Sequence, residues 1–249
     1  MKLHLALGIS SGDVVAFVGA GGKSSAILTV AGELMEAGMT VLVAPTTKML
    51  LKEAEKVGPL VTSEDLGELR TKAEEALSGG APGVAVGSGL LSKNRIAGVE
   101  PAWISSLAPL ADVVLVEADG SRRRPIKGTA DYEPAMPDSA TLVVGTGNIS
   151  AFGMPVDEEH VHRPELFSKL TGIGLGQSIT ARAFALALAK GSLDGIPDKA
   201  RPAVLITGVE PGRSMSNASV VTRELWRMGV KKVVLTSLPH EAPGRFWIP

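Results

Sequence analysis

Residues 14–25 read VVAFVGAGGKSS, an apolar run that passes directly into a glycine-rich turn. The run is typical of a buried strand, and the apolar pattern after the turn, over residues 24–37, is typical of a buried helix. Glycine lets the backbone bend so that successive N–H groups point at one anion, and a helix start adds the positive end of its dipole. Strand, turn and helix in this order predict a site for the phosphates of a nucleoside triphosphate.

The turn contains the residue types that triphosphate binding needs, because its lysine supplies a mobile positive charge and its serines can hold a magnesium ion. The residues predicted to contact the nucleotide are Gly19, Ala20, Gly21, Gly22, Lys23, Ser24 and Ser25. Two residues separate Gly19 from Gly22, where the usual motif has four. This shorter form resembles the ATP loop of the Mur ligases. The alternative is an ordinary strand-to-helix turn, which leaves the lysine–serine pair unexplained.

Composition narrows the classes of partner. The 249 residues can bury a sizeable core, and 25 basic against 26 acidic side chains give a net charge of -1. With aromatics at 4%, the chain is predicted to bind neither nucleic acid nor membrane. The lack of cysteine excludes disulfides, thiolate zinc sites and cysteine nucleophiles. Residues 1–9 are too short and too broken for a signal peptide or membrane span, which predicts a cytoplasmic protein.

The order of apolar patterns predicts the fold class. Short β-branched runs alternate with helical patterns, as in parallel strands covered by helices. We predict an α/β, three-layer P-loop NTPase-like fold, with a mostly parallel sheet and helices on both faces. One domain over residues 1–249 is predicted, and the pattern leaves open a helical insertion over residues 157–190. The predicted helices include residues 65–77, capped by Ser63 or Thr62, and residues 177–190.

Two other predicted strands end in polar side chains, and parallel strands bring such ends to one edge of the sheet. The strand at residues 40–44 leads into Thr46, Thr47 and Lys48. Their hydroxyls can reach magnesium or the terminal phosphate, and the lysine can neutralise charge that develops there. The alternative is a threonine-capped turn.

The strand at residues 112–116 leads into Glu117 and Asp119. Two carboxylates at a buried strand end repel each other, and a divalent cation resolves that repulsion. Ser24, Glu117 and Asp119 are therefore the predicted magnesium ligands. One carboxylate would hold the ion and the other would orient the nucleophile, and the sequence does not distinguish them. A salt bridge to the following arginines is the alternative.

Basic residues after this strand end are predicted to meet an anionic substrate. Arg122, Arg123 and Arg124 are consecutive, so they cannot all face one site, but a guanidinium matches a phosphate or carboxylate. Arg122 is predicted to be catalytic together with Lys23, Glu117 and Asp119, and Arg123 is predicted to bind substrate. A solvated basic loop is the alternative.

A second patch of charged residues lies at residues 158–165. His162 and Arg163 are predicted substrate contacts, and the alternative is that they only fix the loop. His160 and His162 with the nearby carboxylates suggest a metal site only weakly, because two histidines one residue apart in a loop are little evidence.

Four segments resemble the YqeC family in their order along the chain: VGAGGK at 18–23, TTKM at 46–49, EADGSR at 117–122 and HRPE at 162–165. Its members are described as proposed accessory factors of selenium-dependent molybdenum hydroxylases. The resemblance implies a nucleotide-dependent maturation step, an anionic or molybdenum-cofactor-related substrate, and a client hydroxylase. Residues 205–210, LITGVE, lack the asparagine-containing motif that selects guanine, which favours ATP over GTP.

The leading hypothesis is an accessory enzyme that uses ATP and Mg²⁺ for phosphoryl transfer or a ligase-like reaction. The rival is a nucleotide-gated chaperone that delivers a cofactor without covalent chemistry, and the two differ in turnover. A scaffold that binds no nucleotide ranks third and predicts that Lys23→Ala changes nothing.

Overall fold

A nine-stranded sheet forms the centre of the chain in a computed structural model that describes residues 2–237 and 245–247. The strands in chain order are β1 (Val14–Gly19), β2 (Val41–Val43), β3 (Met49–Leu50), β4 (Leu60–Thr62), β5 (Gly83–Gly87), β6 (Gly89–Ser92), β7 (Arg95–Ala97), β8 (Val113–Glu117), β9 (Ile126–Lys127), β10 (Leu142–Asn148), β11 (Val161–His162), β12 (Arg201–Thr207), β13 (Val233–Ser237) and β14 (Arg245–Trp247). The large sheet has the order β14-β13-β12-β10-β1-β8-β2-β5-β4, and all its pairs are parallel except β13 with β14.

Helices connect these strands. They are α1 (Leu3–Leu7), α2 (Lys23–Glu36), α3 (Leu51–Ala54), α4 (Leu66–Ser78), α5 (Ile104–Leu107), α6 (Pro164–Thr171), α7 (Ala181–Leu186) and α8 (Arg213–Arg227). Short 3-10 turns lie at Pro101–Trp103, Ala108–Leu110 and Ile149–Ala151, and a π-helical segment follows α7 at Ala187–Ser192. Among residues 2–237 and 245–247, no helix has the length and apolar character needed to cross a membrane.

The two faces of the sheet carry separate hydrophobic cores, because side chains alternate along each strand. On β1, Val15 and Phe17 pack with α1 and α2, whereas Val14, Ala16 and Val18 pack on the opposite face with α4 to α8. β1 is buried along its whole length, as expected for a parallel strand covered on both sides. The predicted α/β, three-layer P-loop NTPase-like fold is confirmed.

The sheet order determines which loops meet. β1 is the central strand and lies between β8 and β10, with β2 next to β8. The register pairs Phe17 with Glu117 and Gly19 with Thr146, so the carboxyl ends of β1, β8 and β10 reach the same edge. The glycine turn therefore lies beside the carboxylates that end β8, at the edge where open α/β sheets bind ligands.

The structure differs from the sequence prediction in local details. α4 is capped by Asp65, whose carboxylate accepts the N–H of Glu68 at 2.8 Å, and the predicted cap at Ser63 or Thr62 is wrong. Ser63 instead donates its hydroxyl to the Glu68 side chain. The helix predicted at residues 177–190 is shorter at its start, because Thr180 caps α7, and it ends in π-helical geometry.

The sequence patterns did not predict two small sheets, β3-β7-β6 and β9-β11. Their strands have two to four residues, which is too short for a periodic signal. α6 and α7 lie within residues 157–190 and contribute Phe167 and Phe184 to the core of the sheet. The division into one domain, with or without an insertion, stays a prediction.

Replacing Asp65 by alanine is expected to lower the free energy of unfolding by about 1 kcal/mol, because the Glu68 N–H loses its partner. Glu64→Ala, at the neighbouring exposed acid, is the matched control and is expected to change it by less than about 0.5 kcal/mol. Urea unfolding followed by circular dichroism measures both values. Equal losses in the two variants would contradict the assigned cap.

Candidate functional site

The glycine turn at the end of β1 has a backbone that only glycine tolerates. Gly19, Gly21 and Gly22 have φ angles of 91°, 70° and 109°. A Cβ on Gly19 would lie 2.4 Å from the carbonyl oxygen of Thr146, and one on Gly21 would lie 2.5 Å from that of Pro125. Gly22 begins α2, and no side chain caps this end of the helix. The first N–H groups of α2, which have no partner within the helix, are therefore without a capping side chain.

Lys23 at the start of α2 is buried against Asp119. Its Nζ donates to the carbonyl oxygen of Gly19 at 2.7 Å and lies 3.0 Å from Oδ1 of Asp119. Oδ2 of Asp119 accepts the N–H of Gly19 at 2.8 Å. The two side chains are only 3% and 1% exposed. The N–H of Ala20 is also engaged, with Thr146 at 2.9 Å. An anion at the turn has to compete with Asp119 for the lysine.

Ser24 and Glu117 form the second polar pair of the turn. The Ser24 hydroxyl donates to Oε2 of Glu117 at 3.0 Å. Burial raises the pKa of Glu117, and the positive charge of Lys23 and the Ser24 hydrogen bond only partly oppose that rise. The charges of Glu53 and Asp119 raise this pKa further. Hydroxyl and carboxylate oxygens are hard ligands, so this pair suits Mg²⁺.

The three polar residues after β2 have different surroundings. Thr46 is committed to the protein, because its N–H donates to the Glu117 carbonyl at 3.0 Å and its hydroxyl to the Ala135 carbonyl at 2.6 Å. Thr47 has a buried hydroxyl that finds no partner among the described residues. Lys48 is exposed. The structure thus brings Thr46 beside the carboxylate strand, whereas Lys48 faces solvent.

Five alternating charges link the glycine turn to the start of α6, and we call this set, Lys23, Asp119, Lys127, Glu133 and Arg163, the ion-pair chain. Lys127 on β9 is 1% exposed, and its Nζ lies 3.1 Å from Oδ2 of Asp119 and 2.7 Å from Oε2 of Glu133. It also donates to the Gly120 carbonyl at 3.0 Å. Arg163 contacts both oxygens of the Glu133 carboxylate. The sequence patterns did not single out Lys127 or Glu133.

The end of the ion-pair chain reaches the surface at Tyr132. The Arg163 guanidinium donates to the tyrosine hydroxyl at 2.9 Å and lies 5.4 Å from the centre of its ring. Tyr132 is 76% exposed and is the only tyrosine of the chain. Glu133 also lines a cavity of about 700 Å³ between the loop at residues 129–138, α6 and the π-helical segment.

The predicted substrate arginines point to different places. Arg122 and Arg123 are exposed and have left-handed φ angles of 47° and 62°. Arg123 lines a cavity of about 290 Å³ with residues of α3 and of the turn between β6 and β7. Arg122 instead lowers the pKa of His162 through its charge. Arg122 and Arg123 thus have different surroundings, as expected for consecutive arginines, which cannot all face one site.

His162 lies opposite Lys127 in the pairing of β11 with β9. Burial lowers its pKa from 6.5 to about 4, and the charges of Arg163, Lys127 and Arg122 add to this shift against the opposing charge of Glu133. The imidazole is therefore neutral at pH 7. His160 contacts Asp157 at 2.7 Å within its own loop. The described residues contain no group of three or more histidine, aspartate or glutamate side chains that could hold a metal ion.

The mostly parallel sheet, the helices on both its faces and the glycine turn after the central strand define a P-loop NTPase-like fold. The chain belongs to the YqeC family, because the family model described as YqeC protein matches residues 15–165. It is also similar to a protein of Escherichia coli (strain K12) described as uncharacterized protein YqeC, with 32% identity over 162 residues. That alignment covers 64% of this chain and 61% of the relative, so the chain spans less than two thirds of the relative's length.

His162→Gln is expected to make stability less sensitive to acid. The unfolded chain protonates this histidine near pH 6.5 and the folded chain only near pH 4, so the unfolded state binds more protons between these values. The free energy of unfolding therefore falls as the pH drops through this window, by up to about 1.4 kcal/mol per pH unit. Urea unfolding of wild type and variant across the window measures the difference. Parallel losses in both proteins would contradict a neutral His162.

Proposed function

We propose that the chain binds ATP with Mg²⁺ at the glycine turn after β1. The observation that carries the proposal is the start of α2, which no side chain caps, with Lys23 and Ser24 in its first turn and Glu117, at the end of β8, hydrogen-bonded to Ser24. Backbone N–H groups, a helix dipole and an ammonium group together favour a polyanion. In the proposed complex the phosphates replace Asp119 as the partner of Lys23.

Magnesium fits the oxygen atoms beside the turn. It prefers a few carboxylates, phosphate oxygens and water to a site built wholly from protein, which suits one hydroxyl and one carboxylate held 3.0 Å apart. Ser24 and Glu117 would hold the ion, which would neutralise negative charge on the phosphates. Asp119 is already shared by two lysines and a backbone N–H, and its role in the proposal is to orient rather than to bind the metal.

The end of β12 lacks the residue type that would read a guanine. The Thr207 hydroxyl donates to the Gly21 carbonyl at 2.5 Å, and a Cβ on Gly208 would lie 2.6 Å from the Asn148 side chain. The residues at the end of β12 thus hold the turn in place, and no asparagine side chain is present in residues 205–210 to read a guanine. We therefore rank ATP above GTP.

The proposed pathway is the maturation of a selenium-dependent molybdenum hydroxylase, which is the role that the resemblance to the YqeC family implies. An anionic or molybdenum-cofactor-related substrate would lie near Arg122, His162 and Arg163, where positive charge accumulates around a neutral imidazole. Lys23, Glu117, Asp119 and Arg122 would form the catalytic group of such an enzyme.

A nucleotide-gated chaperone is the second candidate, and the ion-pair chain favours it. Lys23 pairs with Asp119, so the lysine of the proposed site has two competing partners, the carboxylate and the phosphate, as a switch requires. Turnover separates the two candidates, because an enzyme transfers phosphate to a substrate whereas a switch hydrolyses slowly until its partner binds.

Lys23→Ala is expected to weaken binding of Mg-ATP about 10- to 100-fold, because a charge-assisted contact to phosphate is lost. Lys56→Ala, at an exposed lysine, is the matched control and should leave the affinity unchanged. Calorimetric titration with ATP and GTP analogues measures both, and circular dichroism verifies the fold. Wild-type protein that binds neither nucleotide would remove the proposed function.

Glu117→Gln is expected to weaken Mg²⁺ binding in the presence of nucleotide by at least about tenfold, because the ion loses its only charged protein ligand. Glu75→Gln, at an exposed acid of α4, is the control. Titration of the nucleotide-loaded protein with Mg²⁺ compares them. Unchanged Mg²⁺ affinity in the Glu117 variant would remove this residue from the metal site.

A further inference from the structure

We propose that Lys127 and Glu133 are positioning residues that transmit occupancy of the phosphate site to Arg163 and Tyr132. This inference rests on the proposed nucleotide site and extends it to a second region of the molecule. Both residues lie outside the glycine turn, and neither belongs to a recognisable sequence motif.

Lys127 is the pivot of the ion-pair chain. Its ammonium group has three N–H donors and three acceptors, namely Asp119 Oδ2, the Gly120 carbonyl and Glu133 Oε2. A buried lysine is unstable unless such partners compensate it. The Lys127 Nζ contacts the carboxylates of both Asp119 and Glu133. A shift of this ammonium group toward Asp119 therefore weakens its contact with Glu133.

Phosphate binding changes that charge. Asp119 has Lys23 on Oδ1 and Lys127 on Oδ2, at 3.0 Å and 3.1 Å. When a phosphate takes Lys23, Asp119 keeps Lys127 as its one cationic partner in the ion-pair chain. The Lys127 ammonium group then shifts toward Asp119, and the attraction between the two grows as their distance shortens. Glu133 then loses part of its hold on Lys127 and pairs more strongly with Arg163. The guanidinium moves relative to the Tyr132 ring, which it contacts by a hydrogen bond and across its face.

The position of Glu133 connects this coupling to a second possible ligand site. Glu133 also lines the cavity of about 700 Å³ beside α6, and small-molecule sites fall in the range of about 300–1,000 Å³. A second substrate held there would meet a carboxylate whose pairing depends on the nucleotide. Coupling of this kind is reciprocal, so such a ligand would alter nucleotide affinity by the same factor.

A purely structural role makes a different prediction. In that case Lys127 and Glu133 would only tie the loop after β8 to the start of α6. Glu133→Gln would then lower the stability of the fold and leave any response of Tyr132 to nucleotide intact. Energetic coupling between sites requires a direct measurement of this response.

The single tyrosine provides the measurement. Protein labelled with 3-fluorotyrosine gives one fluorine NMR resonance, from Tyr132, and a non-hydrolysable Mg-ATP analogue is titrated into it. The expected result for wild type is a displaced or second resonance that saturates together with the calorimetric binding curve. Glu133→Gln should bind the analogue at least as tightly, since a negative charge is removed, while its resonance does not respond. Glu165→Gln, at an exposed acid in the first turn of α6, should respond as wild type does.

The outcomes distinguish the two proposals. Calorimetric binding without any fluorine response in wild type overturns the coupling and leaves the nucleotide site standing, and so does an undiminished response in Glu133→Gln. The absence of binding in wild type removes the nucleotide site and the coupling with it. Lys127→Met is a second variant and is expected to bind the analogue at least about tenfold more weakly, because the site loses a nearby positive charge. An unchanged affinity in that variant would also contradict the coupling.

Discussion

The site depends on one buried carboxylate, that of Asp119, placed between two lysines. An uncompensated charge at this depth would cost several kcal/mol, and removal of one partner from such a pair is strongly destabilising. Its oxygens accept the N–H of Gly19 and lie about equally far from Lys23 and Lys127. Compensation of this charge requires three elements to lie together, namely the end of β1, the start of α2 and the short strand β9. The same contacts bring the residues of the candidate site into one place.

The same arrangement holds Lys23 at the base of the proposed phosphate site. A lone ammonium group at the base of the turn would be desolvated and unstable, whereas the pairing with Asp119 keeps Lys23 in place. In the proposed complex, phosphate would compete with Asp119, whose Oδ1 lies 3.0 Å from the ammonium group but makes no hydrogen bond among the described residues. Two features would favour the proposed phosphate in this competition. A nucleotide would bring its own metal ion, and its phosphates would contact the N–H groups at the start of α2, whereas the backbone N–H that Asp119 accepts is that of Gly19.

Sequence alone revealed the parts of the site that follow from strong local patterns. The run from β1 through the turn to α2 could be identified because strand, glycines, lysine and helix are contiguous, and Glu117 and Asp119 because they end an apolar strand. Lys127 and Glu133 could not, since β9 has two residues and its partner β11 lies more than thirty residues further along the chain. The cap of α4 was misplaced because Ser63 and Asp65 are both good N-caps, and only the backbone shows which residue begins the helix.

The charges around the candidate site say more about the kind of ligand it would bind than the net charge of the chain does. The chain as a whole is nearly neutral, which argues against long-range attraction of nucleic acid. Yet the ion-pair chain contains three cations and two anions, and Arg122 adds a further positive charge near His162. A confined positive excess beside a helix start suits a compact anion such as a phosphate, whereas an extended polyanion would need a broad basic face. The positions of the lysines and arginines, which the net charge of the sequence does not reveal, therefore favour the small, highly charged ligand of the proposed function.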